Sequence, residues 1–235
     1  MPFTHCAVGL TDAERRAQAK IHTYPSNPRV HKSLIVAALT GETIEEVGVE
    51  MGKSNKTPEF LKLNPFGKVP TLEVDSVGIF ESNAIARYFA RKSPDAGLYG
   101  ANLVESAVVD SFVDAAASAE NQAGIAVGML RGYVPMAPEL ADMALTKVLP
   151  AYLSGLNEHL KESKWLVGDR MTLADIITFI VVKFMFEHLM AETTRAPFTD
   201  LARWFTTVAS QEAVAKVVGD VTYCTEAPKF AKADA

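Results

Sequence analysis

Two short stretches carry residue types that can grip a small zwitterion or a peptide. The first is Lys68-Val69-Pro70-Thr71. A proline ahead of a strand removes a backbone donor and fixes φ. It leaves the N–H and C=O of Val69 to pair with an extended, peptide-like ligand. A cis bond there would be a specific architectural feature; an ordinary proline at a strand start is the plainer alternative. The second stretch is Phe80-Glu81-Ser82-Asn83-Ala84-Ile85, an acid and a hydroxyl where a strand becomes a helix. Helix N-termini offer unpaired N–H groups and a positive dipole end, so they attract carboxylates. Ser82 adds a hydroxyl to such an anion site and Glu81 an acceptor for an ammonium. Together they suit the zwitterionic head of an amino acid, with a plain N-cap at Ser82 as the structural alternative.

A third stretch, Thr172-Leu173-Ala174-Asp175, holds similar ingredients in another order. Thr172 with Asp175 three residues on is the capping-box pattern, and Met171 and Ile176 are placed as its hydrophobic staple. This box reads as structural, worth about 1 kcal/mol, with no catalytic role. The histidines at 5, 22, 31, 159 and 188 show no spacing with acids or cysteines that makes a metal site. Lys53 and Lys56 read as solvated charges, and Trp165 and Trp204 as core or interface anchors.

The elements that must position these residues fall into two groups. Residues 1–18 read as a flexible N-terminal arm, or a short helix over 12–19. A strand over 20–24 is ended by Pro25, and Pro28 opens a helix over 29–39 with Val30, Leu34, Ile35 and Ala38 on one face. Gly41 stops it. A strand over 43–49, a polar loop over 51–57 and a short helix over 58–63 follow. Strands over 71–74 and 78–80 form a hairpin through Asp75-Ser76, and a helix runs over 81–91. A βαβ crossover followed by a hairpin and helix implies a small mixed sheet with helices packed on it. Beyond 93–97 the strand signals vanish. Helices are expected over 103–126, 137–161, 172–191 and 201–218, with Gly124, Gly128, Gly132 and Pro135 breaking the run between the first two.

The chain has 235 residues, 49% hydrophobic and 22% charged, with a formal net charge of −5. This composition excludes a disordered, collagen-like or disulfide-scaffold chain. Without a basic stripe, direct nucleic-acid binding is not expected. The longest apolar stretch, 176–182, is too short to span a bilayer. Cys6 and Cys224 are the two cysteines, and two isolated thiols fit a reduced, cytoplasmic protein. The first residues lack a basic segment followed by an apolar one, so no secretory signal is expected.

Taken together, Asn55 to Leu61, Asn64 to Pro70, Phe80 to Tyr88, Trp165 to Asp169 and Thr172 to Asp175 resemble the glutathione transferase family. The resemblance covers about residues 20–225. Within the family, Ser54 to Leu61, Glu81 to Tyr88 and Trp204 to Val221 are similar to the transferase-like region of elongation factor 1 gamma subunits. The resemblance implies an α/β thioredoxin-like N-terminal domain and an all-α C-terminal domain. The boundaries expected are an arm over 1–18, a glutathione-binding domain over 19–92, a linker over 93–102, a helical domain over 103–225 and a tail over 226–235. Gamma subunits continue through a charged linker into another domain, so the chain is expected to be an excised domain or a free-standing relative.

The resemblance also assigns roles. Val69, before an expected cis Pro70, would pair with the cysteinyl part of glutathione. Glu81 and Ser82 would hold the γ-glutamyl head, Lys56 and Asn55 would face the glycyl carboxylate, and Lys68 would help hold the peptide. Serine-type transferases donate a hydroxyl hydrogen bond to the glutathione sulfur from the start of the first helix, lowering the thiol pKa. Asn27 stands at that place here, with Ser26 beside it and Tyr24 at the strand end, and turn formation with helix capping is the alternative role for Ser26 and Asn27. The implied activity is thiolate transfer from glutathione, the co-substrate, to an apolar electrophile held partly by residues between 112 and 129, without a metal. The implied alternative is a non-catalytic scaffold that anchors the nucleotide-exchange subunits of elongation factor 1. A homodimer is the expected assembly.

Overall fold

The computed structural model describes residues 19–230. The arm expected over 1–18, with His5 and Cys6, and the last residues of the expected tail lie outside the described residues. Strand β1 (Ala19–Thr23) leads through a turn into helix α1 (Pro28–Thr40) and strand β2 (Ile44–Gly48). Pro28 takes the first helical turn, and Gly41 ends α1 in the left-handed region at φ 70, where glycine carries no Cβ penalty. The polar segment that follows contains a 3₁₀ turn at Ser54–Lys56, so the loop expected over 51–57 is partly helical. Helix α2 (Pro58–Leu63) is capped by the Thr57 hydroxyl. Strands β3 (Thr71–Val74) and β4 (Val77–Phe80) form the hairpin, with Asp75 and Ser76 both at positive φ, as a tight two-residue turn requires.

The sheet order is β2-β1-β3-β4, with β1 and β2 parallel and the other pairs antiparallel. Helix α3 (Ser82–Lys92) begins one residue later than expected. Glu81 cannot join it, because its φ of 67 lies outside the helical region.

The second half is helical: α4 (Leu103–Leu130), α5 (Pro138–Met143), α6 (Leu149–His159), α7 (Leu173–His188), α8 (Glu192–Arg195), α9 (Thr199–Ala209) and α10 (Glu212–Val218). Three expectations are corrected here. Gly124 and Gly128 do not break α4. At Gly128 a Cβ would sit 2.8 Å from Val134 Cγ2, so the missing side chain admits the returning chain. The single helix expected over 137–161 changes pitch. Ala144–Val148 is a π-helical turn in which the Leu149 N–H reaches back to Ala144 O, just ahead of Pro150, which has no N–H to offer. The helix expected over 201–218 is two. Ser210 Oγ and Gln211 Nε2 both donate to Thr207 O, at 2.9 and 3.0 Å, taking up the last-turn carbonyl and ending α9.

One continuous core joins the two halves. Ile21, Ile35, Leu72 and Phe89 from the first belong to the same cluster as Val113, Leu153, Phe179 and Trp204 from the second. Helix α1 packs against α3 and also against α7 and α10, so it is a wall shared by both domains. Among the described residues, no helix is long and apolar enough to cross a membrane.

Candidate functional site

A cleft of about 460 Å³ opens between the sheet domain and α4, within the size range of small-ligand sites. Three segments of the first domain, with Met51 beside them, and one face of α4 form it.

The first segment is the turn before β3. The Val69–Pro70 bond is cis, and both residues line the cleft with Lys68. Asn64 shapes this turn from beneath. It is buried, and its Nδ2 donates to Lys68 O and to Thr71 Oγ1, both at 2.9 Å. Thr71 Oγ1 in turn donates to Lys68 O at 2.8 Å. Among the described residues, nothing takes up the backbone N–H or C=O of Val69.

The second segment is the start of α3. Glu81 is exposed, held at φ 67 and ψ 118, and makes no capping bond. A non-glycine residue in such a conformation costs about 1–3 kcal/mol and persists where the surroundings over-determine it. Ser82 is 8% exposed, and Ser82 and Asn83 both line the cleft with Glu81. Behind them lies Lys32 of α1, fully buried. Its Nζ donates to Glu120 Oε2 at 2.6 Å, to Asn83 Oδ1 at 2.9 Å and to Ser82 Oγ at 3.4 Å. Burial pushes the Lys32 ammonium below its ordinary pKa, with Glu120 opposing. The three donors of the ammonium thus meet three acceptors.

The third segment is the end of β1 and the start of α1. Tyr24 and Arg29 line the cleft. Asn27 is buried and held within the protein: its Oδ1 accepts from the Arg29 N–H and its Nδ2 donates to Thr23 Oγ1, both at 3.1 Å. Ser26 is exposed at φ 60 and, like Asn27, is not on the cleft wall. From α4, Ala117, Glu120 and Asn121 complete the wall, within the 112–129 stretch expected to contribute, and Arg29 Nε pairs with Glu120 Oε1 at 3.2 Å.

The candidate residues therefore divide. Lys68, Val69, Pro70, Glu81 and Ser82 come together around one cavity. Asn55 does not reach it. It is buried, with Nδ2 donating to Gly67 O at 2.6 Å and Oδ1 accepting from the Gly52 N–H at 2.7 Å, so it ties the 52–67 loop shut. Gly67, at φ 60, would place a Cβ 2.8 Å from Asn55 O. Lys56 is exposed, its Nζ beside Gly67 rather than on the wall.

Sequence reasoning missed Lys32, Asn83 and Glu120. On a single-faced reading of α1, Lys32 points away from Val30, Leu34, Ile35 and Ala38. The helix is buried on a second side as well, which its own periodicity does not reveal. Among the described residues, no group of three metal-ligating side chains is present.

Thr172 and Asp175 sit far from this chemistry in role. Asp175 is fully buried and accepts from the Thr172 N–H (2.9 Å), Thr172 Oγ1 (3.1 Å), the Leu166 N–H (2.9 Å) and Trp204 Nε1 (2.8 Å). The capping box is closed. Burial raises the Asp175 pKa against these four donors.

Comparison with known proteins fits this geometry. Two family models match, "Glutathione S-transferase, N-terminal domain" over residues 17–91 and "Glutathione S-transferase, C-terminal domain" over 127–212. A probable elongation factor 1-gamma 2 of Arabidopsis thaliana is 39% identical over 207 residues, which are 85% of this chain and 49% of the relative. The chain thus spans about half the length of the curated relatives it matches. Glutathione transferase F2 of Populus trichocarpa superposes with a TM-score of 0.76 at 27% identity, covering 85% of this chain and 97% of that one. Glutathione S-transferase-I bound with lactoylglutathione superposes with a TM-score of 0.71 at 26% identity, covering 86% and 98%. With a thioredoxin-like sheet domain, a helical second domain and both family models matched in order, the chain belongs to the glutathione transferase family, and it is related to the N-terminal region of elongation factor 1-gamma.

Proposed function

We propose that the chain binds glutathione in this cleft and adds its thiolate to an electrophile. The observation that carries the reading is the juxtaposition of two recognition elements on one wall: the Val69 backbone ahead of cis Pro70, and the Ser82 hydroxyl at the start of α3. The first suits the peptide backbone of the cysteinyl residue. The second, with Glu81, suits the γ-glutamyl zwitterion. Lys68 is the cation available to the glycyl carboxylate. A relative of the same fold holds a glutathione conjugate, which supports this choice of ligand. Met51 and Phe66, 51% and 61% exposed at the cleft rim, offer apolar surface for the body of an electrophile. The thiolate needs a donor. Tyr24 lines the cleft, whereas Ser26 and Asn27 do not, so the Tyr24 phenol is the group we assign, with the Arg29 guanidinium adding positive charge nearby.

Conjugation of glutathione to 1-chloro-2,4-dinitrobenzene tests the reading. Saturable turnover above the uncatalysed rate is expected, reduced about tenfold or more in Tyr24→Phe and unchanged in Ser26→Ala. Turnover retained in Tyr24→Phe sinks the assignment of the donor.

A second reading has its own observation. The Asn27 amide is buried off the cleft wall and held by Thr23 and Arg29, so the place that holds a hydroxyl in serine-type transferases presents no donor to the cleft. The relatives include elongation factor 1-gamma chains. On this reading the chain is a scaffold of a cytoplasmic elongation factor 1 assembly, binding the nucleotide-exchange subunits, and glutathione occupies the cleft without reacting. Glutathione binding without turnover, together with recovery of the exchange subunits on the immobilised chain, selects it. A homodimer is compatible with both readings and is checked by light scattering.

A further inference from the structure

We propose that the buried Lys32 biases the hydrogen-bond polarity of the cleft, turning Ser82 and Asn83 towards donation and making the start of α3 selective for a ligand carboxylate over its uncharged amide. A serine hydroxyl and an asparagine amide each both donate and accept. Here Lys32 takes an acceptor position of both and draws their oxygens towards itself: its Nζ donates to Ser82 Oγ at 3.4 Å and to Asn83 Oδ1 at 2.9 Å, from beneath the wall. What is left to face the cleft is the Ser82 O–H and the Asn83 NH₂. Both residues line it. A carboxylate, which only accepts, is matched. An amide, which must also place two N–H groups, is not.

The third donor of Lys32 goes to Glu120 of α4 at 2.6 Å. The polarity of a site on the sheet domain is therefore fixed by a charge pair reaching across to the helical domain. An uncompensated ammonium in such a position would be costly, and Glu120 is the counter-charge that pairs with Lys32 and aims it. Lys32 does not itself line the cleft, so it is a positioning residue.

This inference rests on the proposal that glutathione binds with its γ-glutamyl head at Ser82. The test measures, by calorimetric titration, the dissociation constants of glutathione and of its analogue amidated at the γ-glutamyl α-carboxylate. The full chain is used in four forms: unsubstituted, Ser82→Ala, Lys32→Met, and Lys32→Met with Glu120→Gln. The last form leaves no orphaned carboxylate if the single Lys32 variant fails to fold, and the Arg29 guanidinium that also paired with Glu120 is 44% exposed and so reaches solvent. The unsubstituted chain is expected to prefer glutathione about tenfold or more, the size of one charge-assisted hydrogen bond. In the folded Lys32 variants that preference falls towards parity, because glutathione binds more weakly while the amide, now offered acceptors, does not. A purely structural role for Lys32 would weaken both ligands alike. Full preference in a folded Lys32 variant, or equal weakening of both ligands, overturns the inference while leaving the site intact. Unchanged glutathione affinity in Ser82→Ala overturns the site itself.

Discussion

Two helices of this protein start with a hydroxyl and an acid, and they do opposite things with them. At the start of α7, Thr172 and Asp175 turn inward. Asp175 receives four hydrogen bonds from within the protein and meets no solvent. At the start of α3, Glu81 and Ser82 turn outward. Glu81 is exposed and uncapped, and Ser82 spends an acceptor on Lys32 while its own proton is left for the cleft. Residue type does not separate the two. What separates them is whether the polar groups find all their partners inside the chain. A saturated acid at a helix start holds structure together. An unsaturated one, kept strained beside a cavity, is available to a ligand.

The largest effect should come from breaking the closed side. Asp175→Ala leaves several buried donors without an acceptor and is expected to cost about 3 kcal/mol, or roughly 6–12 °C in Tm. A thermal shift of only 1–2 °C would mean that the two helix starts differ less than their hydrogen bonds suggest. The open side should respond in the other observable. Ser82→Ala is expected to weaken glutathione binding about tenfold, with a stability change within about 1 kcal/mol, read by titration and a thermal scan on the same preparation. Asn27 belongs on the closed side too, buried off the cleft wall with both ends of its amide bonded within the protein. Asn27→Ala should remove a helix cap worth about 1–2 kcal/mol and leave glutathione affinity unchanged, so a selective loss of affinity would move Asn27 to the ligand-facing group.

The smallest effect is a pH slope. His31, on α1, is a partly buried imidazole with Nδ1 lacking a partner among the described residues. Burial first, and the nearby Lys183 second, push its pKa below 6.5, against Glu187. A folded-state pKa below the unfolded one means that the unfolded chain takes up the proton first. Stability therefore falls as pH drops through about 6.5, with a slope of at most about 1.4 kcal/mol per pH unit for one proton. His31→Gln should flatten the dependence of Tm on pH between 7.5 and 5.5. An unchanged slope would remove His31 from the account and leave His188, which burial shifts in the same direction, as its source.

Local patterns made most of the fold legible. Pro28 and Gly41 bracket α1, Thr57-Pro58 opens α2, and Asp75-Ser76 turns the hairpin, each through a backbone preference confined to a few residues. Two breaks, at the π turn before Pro150 and at Ser210-Gln211, were local and simply overlooked; the other errors came where a distant segment decided the outcome. Gly124 and Gly128 look like breaks until Arg29 and Val134 are seen against them. The same applies to the cleft. The Val69-Pro70 and Glu81-Ser82 pairs could be read from their neighbours in the chain. Lys32 and Glu120 could not, because they meet each other across 88 positions of sequence, on a helix whose second buried face is created only by the other domain. Asn55 shows the complementary case: the resemblance implies a ligand contact for it, but Gly52 and Gly67 claim both ends of its amide.

Because α1 is a party wall, packed on α3 from one side and on α7 and α10 from the other, the molecule has no seam along which to come apart. Cutting the chain between 93 and 102 would strip cover from Ile35 and Phe89 on one piece and from Phe179 on the other, all fully buried in the common core. Calorimetry should accordingly give a single endotherm with equal van't Hoff and calorimetric enthalpies. Amide protons in the sheet should exchange at the rate of those in α7, however different the two halves look as architectures.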